Sequence, residues 1–221
     1  MQRIFDIVFS GIALVLLSPL LLPLMFILRM TGEGEIFFPQ SRVGSGGKHF
    51  KLYKFATMLK DSPNMGTGTV TIKNDPRVLP MGRFLRKTKI NELPQLINIF
   101  NGDMSVIGPR PQTQRCFDAF PLSSQNEIIK VRPGLSGIGS IIFRNEEDMM
   151  YANNDPDKFY DEIVMPYKGS LEDWYVSHQN IASYFSLIGL TIWVMLGFSS
   201  GLGWKLFKDL PPPPQELDKW M

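Results

Sequence analysis

IVFSGIALVLLSPLLLPLMFIL, residues 7–28, runs for twenty-two positions without a charge and carries Pro19 and Pro23 near its middle. That length suffices to span the hydrocarbon core of a bilayer as a helix. Each proline removes a backbone donor and crowds the preceding turn, which predicts a bent helix over a straight one. Arg3 precedes the stretch and Arg29 follows it. Basic residues favour the cytoplasmic side, and here they stand at both ends. A helix that enters the membrane, bends at Ser18-Pro19 and leaves on the same face satisfies both signals. The Ser18 hydroxyl is then available to a carbonyl freed at the bend. A simple spanning helix is the competing reading. A cleaved leader is disfavoured, because the apolar region is too long and no small-x-small site precedes Arg29.

With 221 residues the chain has room for one sizeable domain beside this element. A formal charge of +2 argues against a nucleic-acid binder. The charge is unevenly spread: between Lys73 and Lys89 six basic residues (Lys73, Arg77, Arg83, Arg86, Lys87 and Lys89) face one acid, Asp75. Such a run serves a solvated face, attraction to anionic lipid heads or a phosphate site. The single cysteine, Cys116, has no internal disulfide partner, which suits a reducing compartment. His49 and His178 stand far apart, and no cysteine or histidine spacing suggests a metal site.

The pattern predicts an α+β, mostly helical fold, membrane-associated through a re-entrant N-terminal helix and interfacial amphipathic helices. Phe37-Phe38 and residues 50–55 read as two strands joined by Gly44-Ser45-Gly46-Gly47. Residues 61–75 read as a loop and 80–87 as a helix. A further helix is expected from Asn91, as N-cap, with Pro94 in its first turn and Leu93, Leu96, Ile97 and Phe100 on a buried face. Asn101-Gly102 ends it. Ile107-Gly108-Pro109-Arg110-Pro111 is rigid and turn-like, 112–130 helical, and Arg132-Pro133-Gly134 another turn. Residues 153–180 are polar and in part helical. The uncharged run 181–198 suits shallow interfacial burial, with Trp204, Lys205, Phe207 and Lys208 as anchors beyond it; a second spanning helix is the alternative. Three regions follow: 1–30 in the membrane, 31–198 as the catalytic domain with interfacial helices, and 199–221 as an amphipathic, proline-rich tail.

Three residues carry most of the chemistry. Glu92 stands at an expected helix start just after Arg86 and Lys87, where cations and helix dipole favour anions. A carboxylate there can act as nucleophile, general base or Mg²⁺ ligand, or can merely complement the dipole and pair with Lys89. Arg110 between two prolines offers a planar fork to phosphate, or is a surface arginine in a turn. Lys54, between Tyr53 and Phe55, projects to the opposite face from both, as ordinary strand alternation also requires.

Taken together, the segments resemble the bacterial sugar transferases known as monotopic phosphoglycosyl transferases. The resemblance runs from Arg3 to about Gly197. It rests on the apolar stretch with Ser18-Pro19, RVGSGGKHFKLYKFATM (42–58), NDPRVLPMGRFLRKTKINELPQL (74–96), GDMSVIGPRP (102–111) and RPGLSG (132–137). The last two in succession are highly specific. The resemblance implies transfer of a phospho-sugar from a UDP-sugar to polyprenyl (undecaprenyl) phosphate with release of UMP, the first membrane step of surface glycan assembly. It also implies Mg²⁺ as cofactor, a re-entrant N-terminal helix, and an active site on the cytoplasmic face of the bacterial inner membrane. Lys54, Arg77, Arg86, Arg110 and Pro111 match substrate-binding positions, Asn91 and Glu92 the catalytic pair, with Glu92 also a metal ligand. Besides UDP-sugar, polyprenyl phosphate and membrane lipid, a homo-oligomer or glycan-assembly partners are compatible with this reading.

Two departures stand out. The family's Asp-Glu pair, whose aspartate is the nucleophile, is Asn91-Glu92 here, and its Phe-Arg-Thr-Met is Phe55-Ala56-Thr57-Met58. One acid and one base are lost together, leaving the net charge of the site unaltered, as in a re-tuned site. Glu92 is then nucleophile, or holds Mg²⁺ while polyprenyl phosphate attacks directly, or the chain is inactive. The competing class is a non-catalytic UDP-sugar-binding or scaffolding paralogue at the membrane.

Overall fold

The computed structural model describes residues 1–65, 75–151 and 155–220. In chain order the elements are helix α1 (Gln2–Met30), strands β1 (Phe37–Val43) and β2 (His49–Phe55), and helices α2 (Pro80–Lys87) and α3 (Gln95–Asn101). Strand β3 (Ser105–Ile107), helices α4 (Gln114–Asp118) and α5 (Leu122–Ile128), strand β4 (Gly134–Ser136) and helix α6 (Ile138–Ile142) follow. The rest is helical: α7 (Glu146–Tyr151), α8 (Pro156–Phe159), a π-turn, α9 (Met165–Ser177), α10 (Ile181–Met195) and α11 (Leu202–Leu206). The architecture is α+β and mostly helical. It divides into two compact units, Ile7–Ser41 with Lys51–Asn101, and Met1–Asp6 with Arg42–Phe50 and Gly102–Met221.

The first of these contains most of α1, a helix long and apolar enough to cross a membrane, with mean hydropathy 2.5 over its best window and 17% of that window buried. Its twenty-nine residues extend roughly 43 Å. Only one stripe packs: Leu21, Leu24 and Leu28 join Phe55 and Leu85 in a small core. Val15, Leu16, Leu22 and Phe26 are bare. The helix continues through both prolines. Pro19 cannot donate to the Val15 carbonyl, and the Ser18 hydroxyl takes its place at 2.7 Å. β1 and β2 form the expected hairpin. Phe37 stacks on Phe55 and meets Tyr53 edge-on, so the two aromatics flanking Lys54 share one face.

Helix α2 has the expected bounds, but the next helix does not start at Asn91. Lys89 adopts the left-handed conformation at φ 59°, Ile90–Glu92 form one 3₁₀ turn, and α3 begins only at Gln95. Asn91 is therefore inside a tight turn, not an N-cap. The buried face of α3 also differs: Gln95, Leu96, Asn98 and Ile99 are covered, whereas Phe100 is exposed. Asn98 is buried because it serves β2, accepting from Tyr53 N at 3.0 Å and donating to Lys51 O at 2.8 Å. The expected loop 61–75, with Lys73, falls mostly outside the described residues.

The second unit is built round α9. The segment that reads as polar supplies Leu171, Trp174 and Tyr175 to the main core, with Ile138, Ile141 and Ile142 of α6 and Tyr184, Leu187 and Leu190 of α10. At fifteen residues α10 is only about 22 Å long, short of the ~30 Å hydrocarbon thickness. Ile192, Trp193 and Met195 on its other side are exposed. Pro121 divides the helical stretch 112–130 into α4 and α5. Asp6, buried at the start of α1, gathers three donors on its Oδ1: Ser105 Oγ, Val106 N and Tyr184 OH, each at 2.9 Å. The tail returns to the same core. Leu210 and Leu217 are buried, and the Pro211 carbonyl accepts from Tyr167 OH at 2.9 Å and Trp204 Nε1 at 3.0 Å.

Candidate active site

In the unit that holds α1, strand alternation aims Lys54 away from its aromatic neighbours and toward the 3₁₀ turn. There Lys54 Nζ lies 3.7 Å from Glu92 Oε1, each side chain 19% exposed. At that separation the pair is Coulombic, too long for a direct hydrogen bond between these atoms. Half-burial strengthens the attraction relative to open solvent. Asn91 beside it is 8% exposed, and its Oδ1 is buried with no hydrogen-bond partner among the described residues. An unsatisfied buried carbonyl costs about 1–3 kcal/mol, so it marks a place built for something other than stability.

The other cations of this unit divide by role. Arg86 ends α2, half-buried, with Nη1 3.3 Å from Met58 Sδ. Arg83, Lys87 and Lys89 are exposed. Arg77 is 4% exposed, and its guanidinium is committed: Nε and Nη2 to Asp75 at 2.9 and 2.6 Å, Nη1 to the carbonyls of Ser62 and Met65 at 2.7 Å each. It acts as a clamp on the loop before α2. Bidentate pairing with a buried aspartate ties this fork to its own loop.

Arg110 and Pro111 belong to the other unit. They follow β3, which pairs in parallel with β4, Ser105 opposite Gly134 and Ile107 opposite Ser136. The two specific motifs of the sequence are thus one structure. A Cβ at Gly134 would run into the Gly108 backbone, so glycine is required for the chains to approach this closely. The backbone around Arg110 is tied down on every side. Gly108 N donates to Ser136 O at 2.9 Å, Gly134 N to Pro109 O at 2.8 Å and Val43 N to Gln112 O at 3.0 Å. Arg110 contributes to the wall of a shallow cleft with Val43, Gly44, Gln112, Phe117 and Ile129.

Behind this segment stands a buried polar group that the sequence does not signal. Glu172 of α9 is 1% exposed and accepts the Arg110 backbone N–H. Burial pushes its carboxyl up to about 8, opposed by the Lys168 ammonium and the Arg110 N–H and aided by Asp173. Lys168, 2% exposed, is bonded to Glu146 at 2.9 Å. Tyr175, one turn further, donates to Ile107 O at 3.0 Å. The spacing Tyr167–Leu171–Trp174–Tyr175 was the available sign that α9 is a core helix.

The sequence matches the family model described as bacterial sugar transferase over residues 1–198. Exopolysaccharide production protein ExoY of Rhizobium meliloti is 36% identical over 165 residues, 68% of this chain and 72% of that protein. UDP-glucose:undecaprenyl-phosphate glucose-1-phosphate transferase of Escherichia coli is 36% identical over 153 residues, 68% of this chain but 33% of that protein. Undecaprenyl-phosphate galactose phosphotransferase of Salmonella typhimurium is 30% identical over 210 residues, 89% of this chain and 40% of that protein.

Proposed function

Because the chain belongs to the bacterial sugar transferase family, we propose that it is a phosphoglycosyl transferase. It moves a phospho-sugar from a UDP-sugar to undecaprenyl phosphate, releases UMP, and so begins assembly of a surface glycan at the inner membrane. A purely scaffolding role is not favoured. The observation that carries the reading is the Lys54–Glu92 pair at 3.7 Å, a carboxylate held beside a cation on a tight turn.

Glu92 is the carboxylate on which turnover depends. One of its oxygens attacks the sugar-bearing phosphorus of the UDP-sugar. The bond to the bridging oxygen breaks, and its electron pair leaves with UMP. An oxygen of undecaprenyl phosphate then attacks the same phosphorus and returns the carboxylate. Lys54 and Arg86 bind the diphosphate and the charge that develops on it. Arg110 is assigned to the diphosphate by its motif alone, and Pro111 with Pro109 stiffens the backbone that carries it. Mg²⁺ fits the donors at hand. The unpartnered Asn91 Oδ1 and the second Glu92 oxygen would hold it, with substrate phosphates and water completing the shell, as is usual for this ion. When bound, it neutralises diphosphate charge.

The bare apolar residues of α1 and α10 are the membrane-facing surfaces, α1 as a re-entrant helix and α10 lying in the interface. Hydroxyl repair of the Val15 carbonyl at 2.7 Å supports a bend that hydrocarbon tolerates. The active site then faces the cytoplasm. Cysteines placed at positions 2 and 33 should label from the same side, and opposite sidedness would establish a spanning helix.

The deciding assay is UMP release over a panel of UDP-sugars with undecaprenyl phosphate and Mg²⁺. Turnover with one of them, and a phospho-sugar adduct by intact mass that disappears in Glu92→Gln, is the expected result. Turnover without an adduct would favour direct attack by undecaprenyl phosphate. Absence of both with every UDP-sugar would overturn the enzymatic reading.

A further inference from the structure

We infer that Glu172 is a positioning residue: through the Arg110 backbone it fixes where the Arg110 guanidinium points. The inference rests on the proposed role of Arg110 in binding the diphosphate. Glu172 makes no part of the proposed chemistry. A carboxyl 1% exposed carries a large desolvation cost, and its Oε2 has no partner among the described residues. Space was cleared for it: a Cβ at Gly139 of α6 would strike Glu172 Oε1. What it obtains is attraction to the Lys168 ammonium and a hydrogen bond from the Arg110 N–H, and only the second reaches the phosphate-binding segment.

That donor is the one the rest of the segment leaves open. Pro109 and Pro111 have no N–H, Gly108 N is taken by Ser136 O, and the Pro109 carbonyl is taken by Gly134 N. Tyr175 holds the Ile107 carbonyl at 3.0 Å from the same helix, one turn along. Two side chains of α9 therefore grip the backbone on either side of Gly108-Pro109. With φ fixed at both prolines, the Glu172 contact adds the tie made at Arg110 itself. An ordered second layer of this kind keeps a phosphate-binding fork within the narrow range that catalysis needs.

The test is a double-mutant cycle with Arg110→Ala and Glu172→Leu in the full-length protein, read as kcat/KM for UMP release, with thermal melting beside it. Glu172→Leu alone should lower kcat/KM roughly 10–100-fold, the range for a misplaced binding group. In the Arg110→Ala background the same change should cost less than about threefold, since there is no guanidinium left to misplace. Glu172→Gln, which keeps an acceptor for the Arg110 N–H, should restore most of the activity. Additive losses in the cycle would overturn the inference, as would a Glu172→Gln as slow as Glu172→Leu. Wild-type rates in Arg110→Ala would instead overturn the role of Arg110, and this inference with it. If Glu172→Leu fails to fold, Glu172→Met, similar in length and without a carboxylate oxygen, enters the cycle in its place, with the same non-additivity expected and the same additivity fatal.

Discussion

The turn that holds Asn91 and Glu92 and the segment that holds Arg110 are built on opposite principles. The turn is a single 3₁₀ stretch entered through a left-handed lysine. It has a carbonyl, Asn91 Oδ1, that is buried without a partner among the described residues, and Lys54 Nζ stands 3.7 Å from Glu92 Oε1. The Arg110 segment is braced by a parallel bridge, two prolines and two buried side chains of α9. A group that must form and break bonds gains from unsatisfied partners and room to move. A group that recognises fixed charge gains from being held still.

The strongest test of this contrast is Glu92→Gln. It should lower turnover by about 10³-fold or more while shifting the melting temperature little, because the amide keeps the size of the side chain and an oxygen that accepts hydrogen bonds. A large melting shift would mean that the turn is structural after all. Next comes Arg110. Arg110→Ala should slow the reaction roughly 10²–10³-fold, and Arg110→Lys nearly as much, because a point charge does not replace a braced fork. If lysine restores the rate, rigidity at this segment is not what matters.

The contrast also explains what could be read from sequence. GDMSVIGPRP and RPGLSG were legible because backbone meets backbone at Gly108 and Gly134, and such contact admits few residue types. The hairpin and α2 were legible from alternation and from a proline start. The onset of α3 is not legible: Asn91 looks like a cap, but the left-handed Lys89 turns the chain before it, and nothing local in Lys89 announces that conformation. The clamp made by Arg77 is not legible, because two of its partners are carbonyls, of Ser62 and Met65, which no side-chain pattern reveals. Glu172 was invisible because a buried acid in a segment of mixed polarity reads as a solvated one.

A smaller effect separates the two regions by pH. The folded state holds the Glu172 proton up to about 8, whereas an ordinary glutamate releases it near 4.5. Between these values the native protein binds the extra proton, so this group's contribution to stability is full at low pH and declines as pH rises through that window. The decline is on the order of 1 kcal/mol per pH unit at most. Melting in detergent from pH 5 to 8 should show the slope in the wild type and lose it in Glu172→Gln; an identical slope in both would assign it to other groups. The turn supplies the smallest expected effect and the one of open sign. Asn91→Asp would create the Asp-Glu pair that the resemblance implies for the family, and a phospho-sugar adduct on position 91 would mean that the native asparagine restrains this site. No gain and no adduct would mean that Ala56 and Asn91 were exchanged as a set.

The tail carries a lesson for recombination among relatives. The family match stops at residue 198, yet Leu210 and Leu217 are packed into the core beyond it, at 4% and 0% exposure. The boundary drawn by shared sequence is therefore not a boundary of folding. A chimera joined at that point would keep every recognised motif and still lack one wall of its interior, unless the grafted tail brings side chains of matching volume.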